Sequence, residues 1–188
     1  ADTSHVKHDH VDFVLDSGKV LRFHDPRRFG SILWVGEDVA NSKLLKNLGP
    51  ERFDETLKGA ALYRVSRGRK TSIKQFIMDG RVIVGVGNIY ASEALFRAKI
   101  RPGRAAGRVT LSRFEQLLDA IRQVLSEAIK AGGTTLRDYS RVTGEPGYFE
   151  QSLDVYERAG RPCVNCATAI RRKVIGQRAS YYCPRCQI

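Results

Sequence analysis

The chain has 188 residues, 42% hydrophobic and 28% charged, which suits one large domain or two small ones around a packed core. No run approaches the roughly 18 apolar residues of a membrane span, and the opening Ala1-Asp2-Thr3-Ser4-His5 lacks a signal-peptide layout. Membrane and secreted classes are therefore poor fits. Lys plus Arg number 32 against 20 Asp plus Glu, a net charge of +12, the electrostatic footprint expected of a nucleic-acid binder. A basic protein with a plain solvated surface is the rival reading.

In chain order, Val11, Phe13 and Leu15 alternate with more polar neighbours, Asp16-Ser17-Gly18-Lys19 reads as a turn, and Val20 to Phe23 resumes the strand. After Asp25-Pro26-Arg27-Arg28-Phe29-Gly30, the apolar run Ser31 to Val35 reads as a third strand. Three strands leave one sheet face without a partner.

From about Asn41 the period becomes helical, with short candidates at 41–48 and 55–63 and a better one from Thr71 to Asp79. A glycine-punctuated turn, Gly85-Val86-Gly87-Asn88, then opens a helix to about Ala98 with Asn88 as its N-cap. The longest helix runs from Leu111 to Ala131. Its apolar stripe, from Leu111 through Phe114 and Ile121 to Ile129, reads as core, and Ser112 with Glu115 as a capping box. Residues 140–148 read as a loop.

Two basic clusters carry little opposing charge. From Arg158 to Ile188 stand Arg158, Arg161, Arg171, Arg172, Lys173, Arg178 and Arg185 with no acid, and Arg64, Arg67, Arg69, Lys70, Lys74 and Arg81 are opposed by Asp79 alone. The four cysteines form two Cys-x-x-Cys knuckles, Cys163/Cys166 and Cys183/Cys186, sixteen residues apart. Four thiolates at this spacing suit one tetrahedral Zn²⁺, with a β-hairpin between the knuckles. Two disulfides are the rival reading, disfavoured by the small loops they would close. The Gly85–Asn88 turn, ahead of a helix N-terminus, suits a DNA phosphate; a plain tight turn is the simpler reading.

Several motifs together carry a family resemblance. Gly85-Val-Gly-Asn-Ile-Tyr-Ala-Ser-Glu-Ala-Leu-Phe96, preceded by Phe76-Ile-Met-Asp79, resembles the helix–two-turns–helix signature of bacterial formamidopyrimidine-DNA glycosylase. Lys7-His-Asp-His-Val-Asp12, Asp25-Pro-Arg-Arg-Phe-Gly30, Gly132-Gly-Thr-Thr135, Pro146-Gly-Tyr-Phe149 and Gln177-Arg-Ala179 resemble the same enzyme. The likeness runs from Lys7 to Gln187.

The resemblance implies an α+β fold: remnant strands of a β-sandwich (1–36), a helix–two-turns–helix DNA-binding domain (37–150) and a four-cysteine zinc-finger β-hairpin (151–188). It implies base-excision repair of oxidised purines such as 8-oxoguanine and formamidopyrimidines, with nicking of the abasic strand by β,δ-elimination. His8, Arg27 and Arg69 fall on DNA-binding positions, with Lys70 sharing the charge of Arg69, although several relatives carry lysine in place of Arg69. Asn88 matches a phosphate-gripping asparagine. Arg178 matches the hairpin-tip arginine, a phosphate ligand and the proton donor in δ-elimination; an ordinary surface arginine is the alternative. Phe29, beside two arginines on a turn, suits an apolar wedge that holds open the gap left by a flipped base, and otherwise a strand-end core aromatic.

The family's opening proline nucleophile, its adjacent glutamate and a later lysine are not found; the chain opens Ala1-Asp2-Thr3. It therefore reads as the DNA-gripping C-terminal portion of a glycosylase/lyase, inactive as a glycosylase by itself. The alternative is a stand-alone DNA-binding module on the same scaffold. The expected partners are damaged double-stranded DNA and one structural Zn²⁺, with a dimer through the unpaired strands of residues 11–35, in a bacterial cytoplasm at the nucleoid.

Overall fold

The computed structural model describes residues 4–39, 41–132 and 153–188. The loop expected at 140–148 lies outside the described residues. Packing divides the chain into two compact units, residues 1–42 and 43–188, so the cysteine segment shares a unit with the helices. No helix among the described residues is long and apolar enough to cross a membrane.

The first unit is built on one antiparallel hairpin, β1 (Asp9–Val14) and β2 (Val20–His24). Val11 pairs with Phe23 and Phe13 with Leu21. Arg22 fixes the register from the side chains: its guanidinium grips both Asp12 carboxylate oxygens at 2.8 Å and reaches Asp9 at 3.2 Å. The third strand expected at Ser31–Val35 does not form. A strand exists through its ladder, and among the described residues no neighbour pairs with this run; Trp34 within it is 96% exposed. The helix expected at 41–48 is likewise a series of turns. Its leucines, Leu44, Leu45 and Leu48, stay exposed, and a helix this short forms only where packing rewards it.

The second unit is organised around four helices: α1 (Gly59–Ser66), α2 (Ile73–Met78), α3 (Asn88–Arg97) and α4 (Leu111–Lys130). The α4 stripe is core as its period implies: Phe114, Leu117, Leu118, Ile121, Val124, Leu125 and Ala128 are buried, while Leu111 and Ile129 at its ends are exposed. Each fully buried side chain of this kind stabilises the fold by about 1.5–3 kcal/mol. Phe114 stands between Tyr63 and Phe76, edge to face, with centroids 6.3 and 5.9 Å away.

The capping differs from the expectation. Thr110, not Ser112, caps α4, accepting from the Arg113 N–H at 3.4 Å. Glu115 turns outward from its own helix and caps α1 instead, accepting from the N–H groups of Gly59 and Ala60 at 2.9 and 3.1 Å. Glu93 does similar work for the entry to the cysteine segment. Its buried carboxylate accepts from the N–H groups of Asp154, Val155 and Tyr156 at 2.9, 3.1 and 2.8 Å.

The cysteine segment folds as an antiparallel hairpin of β3 (Arg171–Ile175) and β4 (Arg178–Tyr182). Gly176 and Gln177, at φ +54° and +62°, form the tight turn with two positive φ values that matches strand twist. Phe96, Val155, Ile170 and Tyr181 join Cys163 and Cys183 in a second small core that ties the hairpin to α3.

Candidate zinc site and nucleic-acid interface

The two knuckles converge. All four cysteine sulfurs lie within 4.8 Å of one another, and no disulfide joins them. The Sγ separations of 3.9 Å (Cys163–Cys186), 3.5 Å (Cys166–Cys183) and 3.4 Å (Cys166–Cys186) bracket the value of about 3.8 Å that Zn–S bonds of about 2.3 Å impose on a tetrahedron. Backbone N–H groups of Asn165 and Cys186 donate to Cys163 and Cys183 sulfurs, which favours thiolate. The crowded sulfur of Cys166 pushes the Cys186 thiol up and burial does the same to Cys163, while Thr168 holds Cys166 down. A divalent cation resolves that competition by letting all four ionise. The donor set fits one structural Zn²⁺, and disulfides are ruled out among the described residues.

Anchored by this knot, the hairpin presents exposed Arg178 as the first residue of β4, just past the turn. Nearby is the start of α3. Asn88 is not its N-cap: Gly87 is, in extended conformation, and Asn88 is the first helical residue. Its side chain turns to another element instead of capping. The Asn88 amide nitrogen donates to the Tyr156 hydroxyl at 3.3 Å, leaving its Oδ1 without a partner among the described residues. Burial pushes the Tyr156 phenol up, and Asn88 and the charge of Arg178 pull against that shift. Asn88 and Tyr156 thus meet at the positive end of α3, within electrostatic reach of Arg178.

Gly87 has an ordinary φ of −79°, and a Cβ built on it meets nothing within 4 Å. Neither conformation nor packing among the described residues demands glycine there. What glycine does provide is access for a ligand to the backbone.

Sequence reasoning misses Tyr156. It lies 68 residues from Asn88, and its only local signal is an aromatic set among acids just before the cysteines.

The cluster around residue 70 separates into different roles. Arg69 and Lys70 are exposed; Arg69 donates to the Val65 carbonyl at 3.1 Å and lies 5.9 Å from the Phe76 ring. Arg67 is consumed by the fold, stacking 3.8 Å from the Tyr63 ring and donating to the Val109 carbonyl at 2.8 Å. Arg81 pairs with Asp79 at 2.8 Å. Lys74 is not a surface charge at all: it is 1% exposed.

In the first unit, Asp25 builds the turn that carries Arg27 and Phe29. Its carboxylate accepts from the N–H groups of Gly30 at 2.7 Å and Arg27 at 3.2 Å. Phe29 is 82% exposed, with the Arg27 guanidinium 4.9 Å from its ring. It is not a core aromatic of this unit. His8 is half-buried at φ +80°, its ring edge-on to His24 at 6.3 Å, and its carbonyl accepts from Asp25 N–H at 3.0 Å.

Comparison with known proteins agrees with this construction. Residues 48–140 match the model of the formamidopyrimidine-DNA glycosylase H2TH domain, residues 160–188 the zinc finger found in FPG and IleRS, and residues 1–32 the formamidopyrimidine-DNA glycosylase N-terminal domain. The formamidopyrimidine-DNA glycosylase of Alcanivorax borkumensis is 58% identical over 96% of this chain and 67% of its own length. That of Syntrophotalea carbinolica is 58% identical over 100% of this chain and 69% of its own. Among solved structures, the MutM (Fpg) protein of Thermus thermophilus superposes with a TM-score of 0.89 at 38% identity, covering 98% of this chain and 70% of that one. Lactococcus lactis Fpg in complex with DNA containing an abasic site gives 0.88 at 32% identity, with 99% and 68% covered. With helices, cysteine knot and hairpin all placed as in these relatives, the chain belongs to the formamidopyrimidine-DNA glycosylase family.

Proposed function

We propose that this chain grips damaged double-stranded DNA as part of base-excision repair of oxidised purines. The observation that carries the reading is the hydrogen bond of Asn88 to Tyr156 at the open N-terminus of α3, with the charge of Arg178 close enough to act on the Tyr156 phenol. An amide, a phenol, a guanidinium and a helix N-terminus together form a donor set for a phosphate. Arg69 and Lys70 supply further phosphate charge. In the first unit, Arg27 suits the orphaned base and Phe29 the gap left by extrusion. His8 is the third DNA contact proposed there. Arg178 is proposed also as the proton donor of δ-elimination. The matching division is 1–36, 37–150 and 151–188.

A polypeptide of these 188 residues contains no counterpart of the family's opening proline and glutamate, so we infer that on its own it binds without excising. Pairing of a second copy through strands 11–35 gains no support from the relatives, whose stated partner is DNA.

The test is salt-dependent binding of damaged and undamaged duplexes by the native sequence and Asn88→Ala. Each phosphate neutralised by a lysine or arginine contributes about −0.9 to the slope of log K against log salt. Asn88→Ala, which removes a neutral hydrogen bond and no charge, is expected to weaken binding of both duplexes alike while leaving the slope unchanged. An effect confined to lesion DNA, or none, overturns the phosphate assignment. A borohydride-trapped imine on abasic DNA overturns the inference of inactivity.

A further inference from the structure

Lys74 is one of the largest fully buried side chains of the described residues, and its ammonium has no carboxylate partner among them. Its Nζ donates instead to the Ala179 carbonyl and the Ser180 hydroxyl, both at 2.9 Å and both on β4. Its own backbone N–H is held by the Pro102 carbonyl at 3.2 Å.

A buried ammonium without a counter-ion is unfavourable, and an apolar residue of the same size would avoid that cost. Burial, followed by the charge of Arg178, draws its pKa down to about 8. Two like charges within electrostatic reach disfavour one another, and an arriving anion relieves both. The adjoining residue of β4 is Arg178 itself, one step before Ala179.

We propose that Lys74 is a positioning residue for DNA: by locking β4 at Ala179 and Ser180 from beneath, it fixes the direction of Arg178 toward the phosphate. The proposal rests on the phosphate reading of Arg178. Lys74 touches no DNA in this scheme and acts only through the hairpin.

The experiment is a double-mutant cycle of Lys74→Met and Arg178→Ala, read as affinity and salt slope on a short duplex carrying a tetrahydrofuran abasic analogue, with zinc content measured on every variant. Arg178→Ala is expected to lower affinity about tenfold and to shallow the slope by about 0.9. Lys74→Met, retaining zinc, is expected to do nearly the same, and the double variant to be no worse than Arg178→Ala. Should Lys74→Met lose zinc, Ser180→Ala carries the test, with a smaller loss that vanishes in the Arg178→Ala background. A zinc-replete Lys74→Met that binds like the native chain while Arg178→Ala binds weakly overturns the proposal. So do additive effects, because they place Lys74 on a separate route. If Arg178→Ala leaves affinity and slope unchanged, it is the phosphate reading that fails.

Discussion

Asp25 shows how a single carboxylate shapes a recognition turn. Its oxygens collect N–H groups from Gly30 and Arg27, and these bonds, the Gly30 one foremost, hold its pKa below the ordinary 3.8. A depressed pKa means the stabilisation is present above the unfolded-state value and is lost as pH falls through the folded one. The turn presenting Arg27 and Phe29 is therefore expected to loosen as pH falls below the ordinary carboxylate range. An NMR titration following the Gly30 amide checks this: its midpoint should fall below 3.8, and Asp25→Asn should abolish the transition. Gly30 is tightly seated as well, since a Cβ there would meet the Phe23 ring at 2.7 Å. A midpoint at or above the ordinary carboxylate value would show that the turn is held by something other than this side chain.

At the scale of elements, the helices and hairpin depend on carboxylates and thiolates that reach across the chain. Glu115 caps a helix that begins 56 residues earlier, so Glu115→Ala should cost about 1–2 kcal/mol and appear as faster amide exchange at Gly59 and Ala60, with α4 itself little changed. If exchange rises instead at the start of α4, the local capping box is the real one. For the hairpin, the metal supplies the order that six buried residues cannot. Cys163→Ser, or removal of zinc by a chelator, should unfold residues 158–188 and weaken DNA binding while the α4 core survives; a hairpin that keeps its exchange protection without metal would contradict this. The same contrast explains what the sequence shows and what it hides. The cysteine spacing and the α4 stripe are local patterns, and both are readable. Asn88 looks like an N-cap and Glu115 like half of a capping box because their true partners, Tyr156 and the start of α1, are distant in sequence. Lys74 reads as surface charge for the same reason: its acceptors are carbonyl and hydroxyl groups more than a hundred residues on, which carry no charge for a pattern to register. Ser31–Val35 has a strand's composition but no paired neighbour among the described residues, and composition alone does not supply a ladder.

At the scale of the whole molecule, burial is distributed very unevenly between the two units. Every buried hydrophobic residue of the described chain lies at Leu57 or beyond, while Val11, Phe13, Leu15, Leu21 and Trp34 in the first unit are exposed. Local stability follows buried apolar area, at about 25 cal/mol per Å², and regions without it open at low free energy. The first unit instead relies on one hairpin ladder and on Arg22 gripping Asp9 and Asp12. Isolated two-stranded hairpins are marginal in water, and in partly buried ion pairs of this kind desolvation offsets much of the attraction. Hydrogen exchange on the 188-residue polypeptide should therefore separate the two units clearly. Amides of Leu111–Lys130 should exchange only through global opening of the second unit, and those of Asp9–Val14 and Val20–His24 far sooner. Measuring at micromolar protein and again at a roughly tenfold lower concentration distinguishes intrinsic stability from association, because protection by a second copy must decline on dilution. A strictly monomeric chain whose β1 and β2 amides are as protected as those of α4 would show that the hairpin is stabilised by something beyond its ladder and its ion pairs.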